Sequence, residues 1–184
     1  MASGGAARAA APKPYTTEFT PGGLHTQPWF LNSFLDLKED LEAATAAGKR
    51  FAIMWELAGC PYCRETHLVN FAKPEISSYI QENYHLLQLD FRGSREATDF
   101  DGKTMRESKL GKRNRIHFTP TIQFFAETTD GVTGKGGKKT MEVARMPGYF
   151  RPHHFLAMFQ FVRDKGYEVG DYRSYLKTKR NKRS

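Results

Sequence analysis

The spacing of apolar residues changes several times along the chain, and each change marks an element. From Trp29 to Gly48, the residues Phe30, Phe34, Leu37, Leu41 and Ala44 recur at three- and four-residue steps. That spacing predicts an amphipathic helix, stopped by Gly48. Phe51–Leu57 is a short apolar run with a β-branched centre, which suits a buried strand. Gly59 to Cys63 reads as a tight loop opening a helix to about Ala72. That helix breaks near Pro74, and Ile76–Ile80 keeps helical spacing beyond it. His85–Phe91 is the next strand. Arg92–Lys103, polar with Gly93 and Gly102, reads as an inserted loop, and Thr104–Arg115 as a polar, basic helix. Thr121–Phe125 is a strand, Thr128–Lys139 a hairpin loop, and Lys139–Arg145 alternates like an edge strand. Arg151–Lys165 places Phe155, Leu156, Met158, Phe159 and Val162 at helical spacing. The order predicts an α/β fold, a mixed sheet with helices on both faces. No internal repeat is visible.

Composition narrows the class. The chain has 184 residues, 39% hydrophobic and 13% aromatic, with 14 Phe. That is one domain with extensions, too apolar to be disordered. No apolar run approaches the length of a membrane-spanning helix. Residues 1–28, rich in Gly, Ala, Pro and Thr, read as a flexible tail, and Ala9–Pro12 resembles the small-residue end of a processed export signal. Residues 29–176 form the expected domain, and 177–184 a basic, solvated tail.

The net charge of +8 first suggests nucleic acid or an anionic surface. Its distribution removes that suggestion. Residues 1–28 hold Arg8, Lys13 and Glu18; residues 177–184 hold Lys177, Lys179, Arg180, Lys182 and Arg183 and no acid. The body between them carries only +2. The expected partner is therefore not nucleic acid, and the chain is expected to be a monomer.

Two Cys exclude a disulfide framework but allow one redox pair. They stand in Cys60-Pro61-Tyr62-Cys63, between a strand and a helix. A helix N-terminus stabilises a thiolate, the reactive form of cysteine. Pro61 at the first helical position costs no intrahelical hydrogen bond. Cys60 would attack a substrate disulfide, and Cys63, one turn on, would resolve the mixed disulfide. The competing use is half a zinc site, which needs four ligands. His67, four residues after Cys63, would have to recruit His117 or His153. The strand–CxxC–helix context favours redox use, and His67 then reads as a helix-surface or capping residue. A second feature is Phe118-Thr119-Pro120-Thr121 directly before a strand. A cis Thr119–Pro120 bond would turn the Thr119 backbone toward the Cys pair, ready to pair with an extended substrate. The plain alternative is a trans proline that starts the strand.

Cys-Pro-Tyr-Cys after a strand, Thr-Pro before a later strand and a final edge strand and helix resemble the thioredoxin superfamily. Glutaredoxins share Cys-Pro-Tyr-Cys, but their Gly-Gly-acid stretch has no counterpart: Gly136-Gly137 is followed by Lys138-Lys139. Of the two branches, the chain more closely resembles the SoxW-type thioredoxins of bacterial sulfur-oxidation clusters. The similarity lies in Gly59–Cys63, Tyr79–His85, Arg95–Gly102, Phe118–Phe125, Arg145–Tyr149 and Phe155–Phe159, across about residues 30–176. It implies a thioredoxin fold with an extra N-terminal helix, an insertion after the second strand and a C-terminal extension. It implies a protein disulfide reductase without a bound cofactor, working in the bacterial periplasm, with the cytoplasm as alternative. Its partners would be disulfide-bearing proteins, such as a sulfur carrier, and a membrane electron donor of the CcdA or DsbD type. A non-catalytic binding or redox-signalling module is the second reading.

The chain departs from that family at one position. Ordinary thioredoxins carry a buried acid six residues before the first Cys, and here that residue is Met54. Glu56 lies on the same strand face, two residues nearer the pair. It either serves as a buried base for Cys63 or points to solvent at the strand end. The usual Trp before Gly-Cys is replaced by Ala58, and Trp55 faces the other way by strand alternation.

Overall fold

The computed structural model describes residues 17–133 and 139–181. A short hairpin, β1 (Glu18–Phe19) and β2 (His25–Thr26), precedes α1 (Leu37–Ala46) and β3 (Arg50–Glu56). The cysteine helix α2 (Pro61–Glu65) runs into a π-helical stretch, Thr66–Phe71, and then α3 (Pro74–Asn83) and β4 (Tyr84–Asp90). β5 (Glu96–Thr98), β6 (Thr104–Arg106) and α4 (Glu107–Arg113) lead to β7 (Thr121–Phe125). β8 (Val132–Thr133), β9 (Lys139–Thr140), β10 (Glu142–Pro147), α5 (Pro152–Arg163), α6 (Gly166–Val169) and α7 (Tyr172–Asn181) complete the order.

The main sheet has the strand order β10-β7-β3-β4. β3 pairs parallel with β4 and antiparallel with β7, and β10 is an antiparallel edge. The β3 side chains alternate between two apolar layers, so this strand is buried throughout. Ala52 and Met54 face Phe71, Ile76, Ile80, Phe155 and Phe159, on the side of α3 and α5. Phe51, Ile53 and Trp55 face Leu37, Leu41, Ala44 and Leu110, on the side of α1 and α4. The mixed sheet with helices on both faces is the expected architecture. Trp55 turns away from the Met54 side and donates its indole N–H to Gln123 Oε1 at 2.7 Å.

Several boundaries differ from the sequence reading. The first helix begins at Leu37, not Trp29, because Asp36 caps it by accepting from the Lys38 and Glu39 N–H groups, each at 3.1 Å. Phe34 is exposed, while Trp29 and Phe30 pack edge-on against Phe71 in the opposite layer. Their helical spacing with Leu37 is coincidental. Of the expected N-terminal tail, residues 17–28 are instead folded: β1 and β2 pair, and Leu24 and Gln27 are buried. Residues 1–16 lie outside the described residues.

The inserted segment is not a plain loop, since β5 pairs with β6, the first residues of the expected helix. It is pinned by the buried carboxylate of Glu107, which accepts from the Asp90 N–H at 3.0 Å and from Arg95 at 2.6 Å. Gly93 makes room for it, because a Cβ there would overlap the Glu107 carboxylate. The expected basic tail also differs over 177–181, which belong to α7. Phe161 on α5 meets the rings of Tyr172 and Tyr175 at 5.7 and 5.4 Å. Lys179 donates to Gln160 Oε1 at 2.7 Å. Aromatic packing thus orders a segment that its charge alone marked as solvated. Residues 182–184 lie outside the described residues, as do Gly136 and Gly137.

Candidate active site

β3 ends at Glu56, and the chain turns through Leu57-Ala58-Gly59 to reach the cysteines. Gly59 takes φ +75°, a left-handed conformation that disfavours residues with a Cβ. Cys60 is the N-cap of α2, and its Sγ accepts the Cys63 N–H at 3.1 Å. The sulfur therefore sits where unpaired helix N–H groups converge, the position that favours negative charge. Pro61 fills the first turn. Cys60 and Cys63 form a disulfide, with Cα atoms 5.2 Å apart. Cys60 is half-buried, Cys63 only 2% exposed, and Tyr62 between them 62% exposed. The accessible sulfur is thus that of Cys60.

The Thr119–Pro120 peptide is cis, and the Thr119 carbonyl oxygen lies 3.4 Å from Cys60 Sγ. Thr119 Oγ1 also lies 3.4 Å from that sulfur. Pro120 is buried, and its carbonyl accepts the Gly148 N–H at 2.7 Å, tying the cysteine-side loop to the turn after β10. Around this point Phe118 is 65% exposed, and Tyr149 lies parallel to Tyr62 with ring centres 6.3 Å apart. An exposed sulfur, an adjacent half-buried backbone segment and flanking aromatic rings form one surface.

Beneath it, Glu56 does not point to solvent. It is 1% exposed, and its two carboxylate oxygens lie 3.1 and 3.2 Å from His67 Nε2. Gln88 Nε2 also donates to Glu56 Oε2. His67 is fully buried on the π-helical stretch that follows the cysteine helix, which corrects its reading as a surface or capping residue. Its ring is wedged by Phe30 and Phe71, with centres at 5.7 and 5.2 Å, and its Nδ1 lies 2.9 Å from Gln27 Nε2. Met54, at the usual acid position, is buried among apolar side chains. Nothing in the sequence pattern marks Gln27 or Gln88, and partnership with Glu56 is not among the uses expected of His67. The one available sign was the position of His67, a helical turn beyond Cys63.

His25 stands 5.7 Å from His67 between ring centres. Burial first, and then the neighbouring His67 ring and the Arg64 cation, pull its pKa below the usual histidine range. Among the described residues, no three His, Cys, Asp or Glu side chains gather into a group that would hold a metal ion. His67 is committed to Glu56, and His153 lies against His154 with ring centres 3.9 Å apart.

Comparison with known proteins agrees with this arrangement. Residues 37–163 match the model of a family described as a thioredoxin-like domain. A comparison with curated proteins finds no match. Among solved structures, a thioredoxin-fold protein from Helicobacter pylori is similar at 20% identity with a TM-score of 0.57. The similarity covers 78% of this chain and 98% of that one. A thioredoxin from Thermus thermophilus is similar at 23% identity and a TM-score of 0.52, over 74% of this chain and 90% of that one. These likenesses establish the fold.

Proposed function

The chain belongs to the thioredoxin-like domain family, and from that premise we propose that it is a thiol–disulfide oxidoreductase that reduces protein disulfides through Cys60 and Cys63. The observation that carries this is the placement of Cys60 Sγ. It caps a helix, receives the Cys63 N–H at 3.1 Å and lies 3.4 Å from the Thr119 carbonyl beside the cis proline.

In the reduced protein the Cys60 thiolate attacks a substrate disulfide. The new bond joins Cys60 to one substrate sulfur, and the other leaves as a thiolate that takes up a proton. Cys63 then gives its proton to Glu56, and its thiolate attacks Cys60 Sγ. The Cys60–substrate bond breaks, the second substrate thiolate departs and is protonated, and the Cys60–Cys63 disulfide forms. Two electrons have passed to the substrate, and an external dithiol must return them. An extended substrate backbone would lie along Thr119 and Pro120 in β fashion. Pro61 shapes the first turn, and Tyr62, with Phe118 and Tyr149, supplies apolar contact.

Glu56 is the assigned base because it is the buried carboxylate on this face of the sheet, at the strand end beside the cysteine loop.

The finer assignment is to the SoxW-type branch, supported by the residue patterns at Gly59–Cys63, Tyr79–His85 and Arg95–Gly102. In that setting the protein keeps a sulfur carrier or another sulfur-oxidation protein reduced in the periplasm. It draws electrons from a CcdA- or DsbD-type membrane donor.

The test is trapping. Cys63→Ser should accumulate mixed disulfides through Cys60, identifiable by mass spectrometry, whereas Cys60→Ser should accumulate none. Equal trapping by both variants would overturn the assignment of roles. Wild-type protein should also reduce insulin, with a potential of roughly −270 to −180 mV.

A further inference from the structure

The folded N-terminal segment reaches the buried carboxylate by two routes. Gln27, itself buried, sets its Nε2 2.9 Å from His67 Nδ1, and His67 Nε2 faces Glu56. His25, also in the hairpin segment, accepts from Gln88 Nε2 through its backbone carbonyl at 2.6 Å. That same Gln88 nitrogen donates to Glu56 Oε2. The two side chains that donate to Glu56 are thus both held by β2 and the residue after it.

Hydrogen-bond polarity then fixes a protonation state. An amide nitrogen only donates, so His67 Nδ1 facing Gln27 Nε2 must offer its lone pair. The single ring hydrogen sits on Nε2 and points at Glu56. Two donors then converge on the carboxylate and fix its orientation. An Nδ1–H there would set donor against donor in a dry layer, where an unmade hydrogen bond is costly.

We infer that the N-terminal hairpin is a positioning element of the redox site, in which Gln27 fixes the Nε2–H tautomer of His67 so that His67 and Gln88 orient the Glu56 carboxylate at the strand end that leads into the cysteine loop. The inference rests on the reading of Glu56 as the base for Cys63. Among the described residues, the charged and titratable groups nearby are His67, which faces the carboxylate, Asp90, its register partner on β4, and His25, whose ring stands 5.7 Å from that of His67 with Arg64 near it. Of these, His67 is the one whose ring nitrogen lies within hydrogen-bond distance of both Glu56 oxygens.

Two measurements test it. In the wild-type protein, nitrogen chemical shifts of the His67 imidazole at neutral pH should show a protonated Nε2 and a bare Nδ1. An Nδ1–H tautomer or an imidazolium overturns the inference without any variant. The second is the pH dependence of the resolving step, in which Cys63 releases a mixed disulfide. With Gln27→Leu, and more so with His67→Leu, Glu56 loses a directed donor and its proton is held more tightly. The acid limb should move to higher pH, by about one unit for His67→Leu. His67→Gln, which restores an N–H donor, should bring the limb part of the way back. Folded variants whose profiles superpose on the wild type would overturn the inference while leaving the Cys60–Cys63 chemistry intact. Absence of any disulfide reduction by the wild type would instead count against the proposed function, and the tautomer measurement still decides the positioning.

Discussion

Glu56 and His67 form a hydrogen-bonded acid–base pair in a layer closed to solvent, with His67 Nε2 3.1 Å from one carboxylate oxygen. The pair joins the end of the central strand to the helix that carries Cys63. A carboxylate in this position has a partner that keeps it oriented.

Replacing Glu56 by Gln keeps the shape and removes the base. The resolving step should slow by about 100-fold near pH 7, the lower range for loss of a positioned general base. Attack by Cys60 should change far less, since its sulfur is served by the helix N-terminus. The deficit should shrink as pH rises toward the ordinary thiol range, about 8.5, where Cys63 ionises unaided. Stopped-flow decay of a preformed mixed disulfide measures this directly. An unchanged rate at pH 7 would remove Glu56 from the mechanism.

The insertion after β4 depends on one buried side chain. Glu107→Ala leaves the Asp90 N–H without its acceptor and Arg95 without its carboxylate. The lost hydrogen bond to this half-buried N–H should cost about 1 kcal/mol. Arg95 is largely exposed, so its ion pair adds little to that. A urea melt should show the loss as a lower midpoint with an unchanged slope. No change in midpoint would mean that the clasp around Gly93 is not formed.

The sheet and its flanking helices were legible because their side chains alternate or recur with one period, as Phe51–Glu56 and Phe155–Val162 do. Cys60, Cys63 and Pro120 were legible because local sequence carries their geometry: a strand, a turn, a helix start. The Glu56–His67–Gln27 network was not. Its members come from three separate segments, Gln27 lying 40 residues from His67, and each is a polar residue whose burial only tertiary packing decides. Residues 17–28 and 177–181 misled for the same reason. Small and charged residues suggested tails, while Leu24 and Gln27 at one end and Tyr172 and Tyr175 at the other dock onto the body.

The C-terminal helix should therefore contribute to stability. Tyr175 donates its hydroxyl to Asp164 at 2.6 Å and meets Phe161 edge-on. Tyr175→Phe should cost about 1 kcal/mol for the hydrogen bond. Truncation after Gly170 also exposes Phe161 and should cost more, lowering the thermal midpoint by several degrees. Reduction of insulin should survive the truncation, because the contacts of α7 among the described residues are with α5 and the turn after it, away from the cysteines. A truncated protein that melts with the full chain would restore the tail to a solvated role.

Stability should fall on mild acidification, and two histidines give the direction. His25 and His85 both have pKa values below the usual 6.5, first through burial and then through neighbouring cations, Lys49 in the case of His85. In the unfolded chain both take up protons near pH 6.5, so the unfolded state binds more protons than the folded state below that value. Linkage then makes unfolding more favourable as pH falls from about 6.5 toward the depressed folded values, with the full contribution present above 6.5. His85 also buries Nδ1 without a partner, so protonation there must bring a charge into a site that offers no acceptor. Thermal midpoints should decline between pH 7 and pH 5, and the decline should be shallower in His85→Gln and shallowest in the double variant with His25→Gln. A double variant with the wild-type slope would assign the acid sensitivity to other groups.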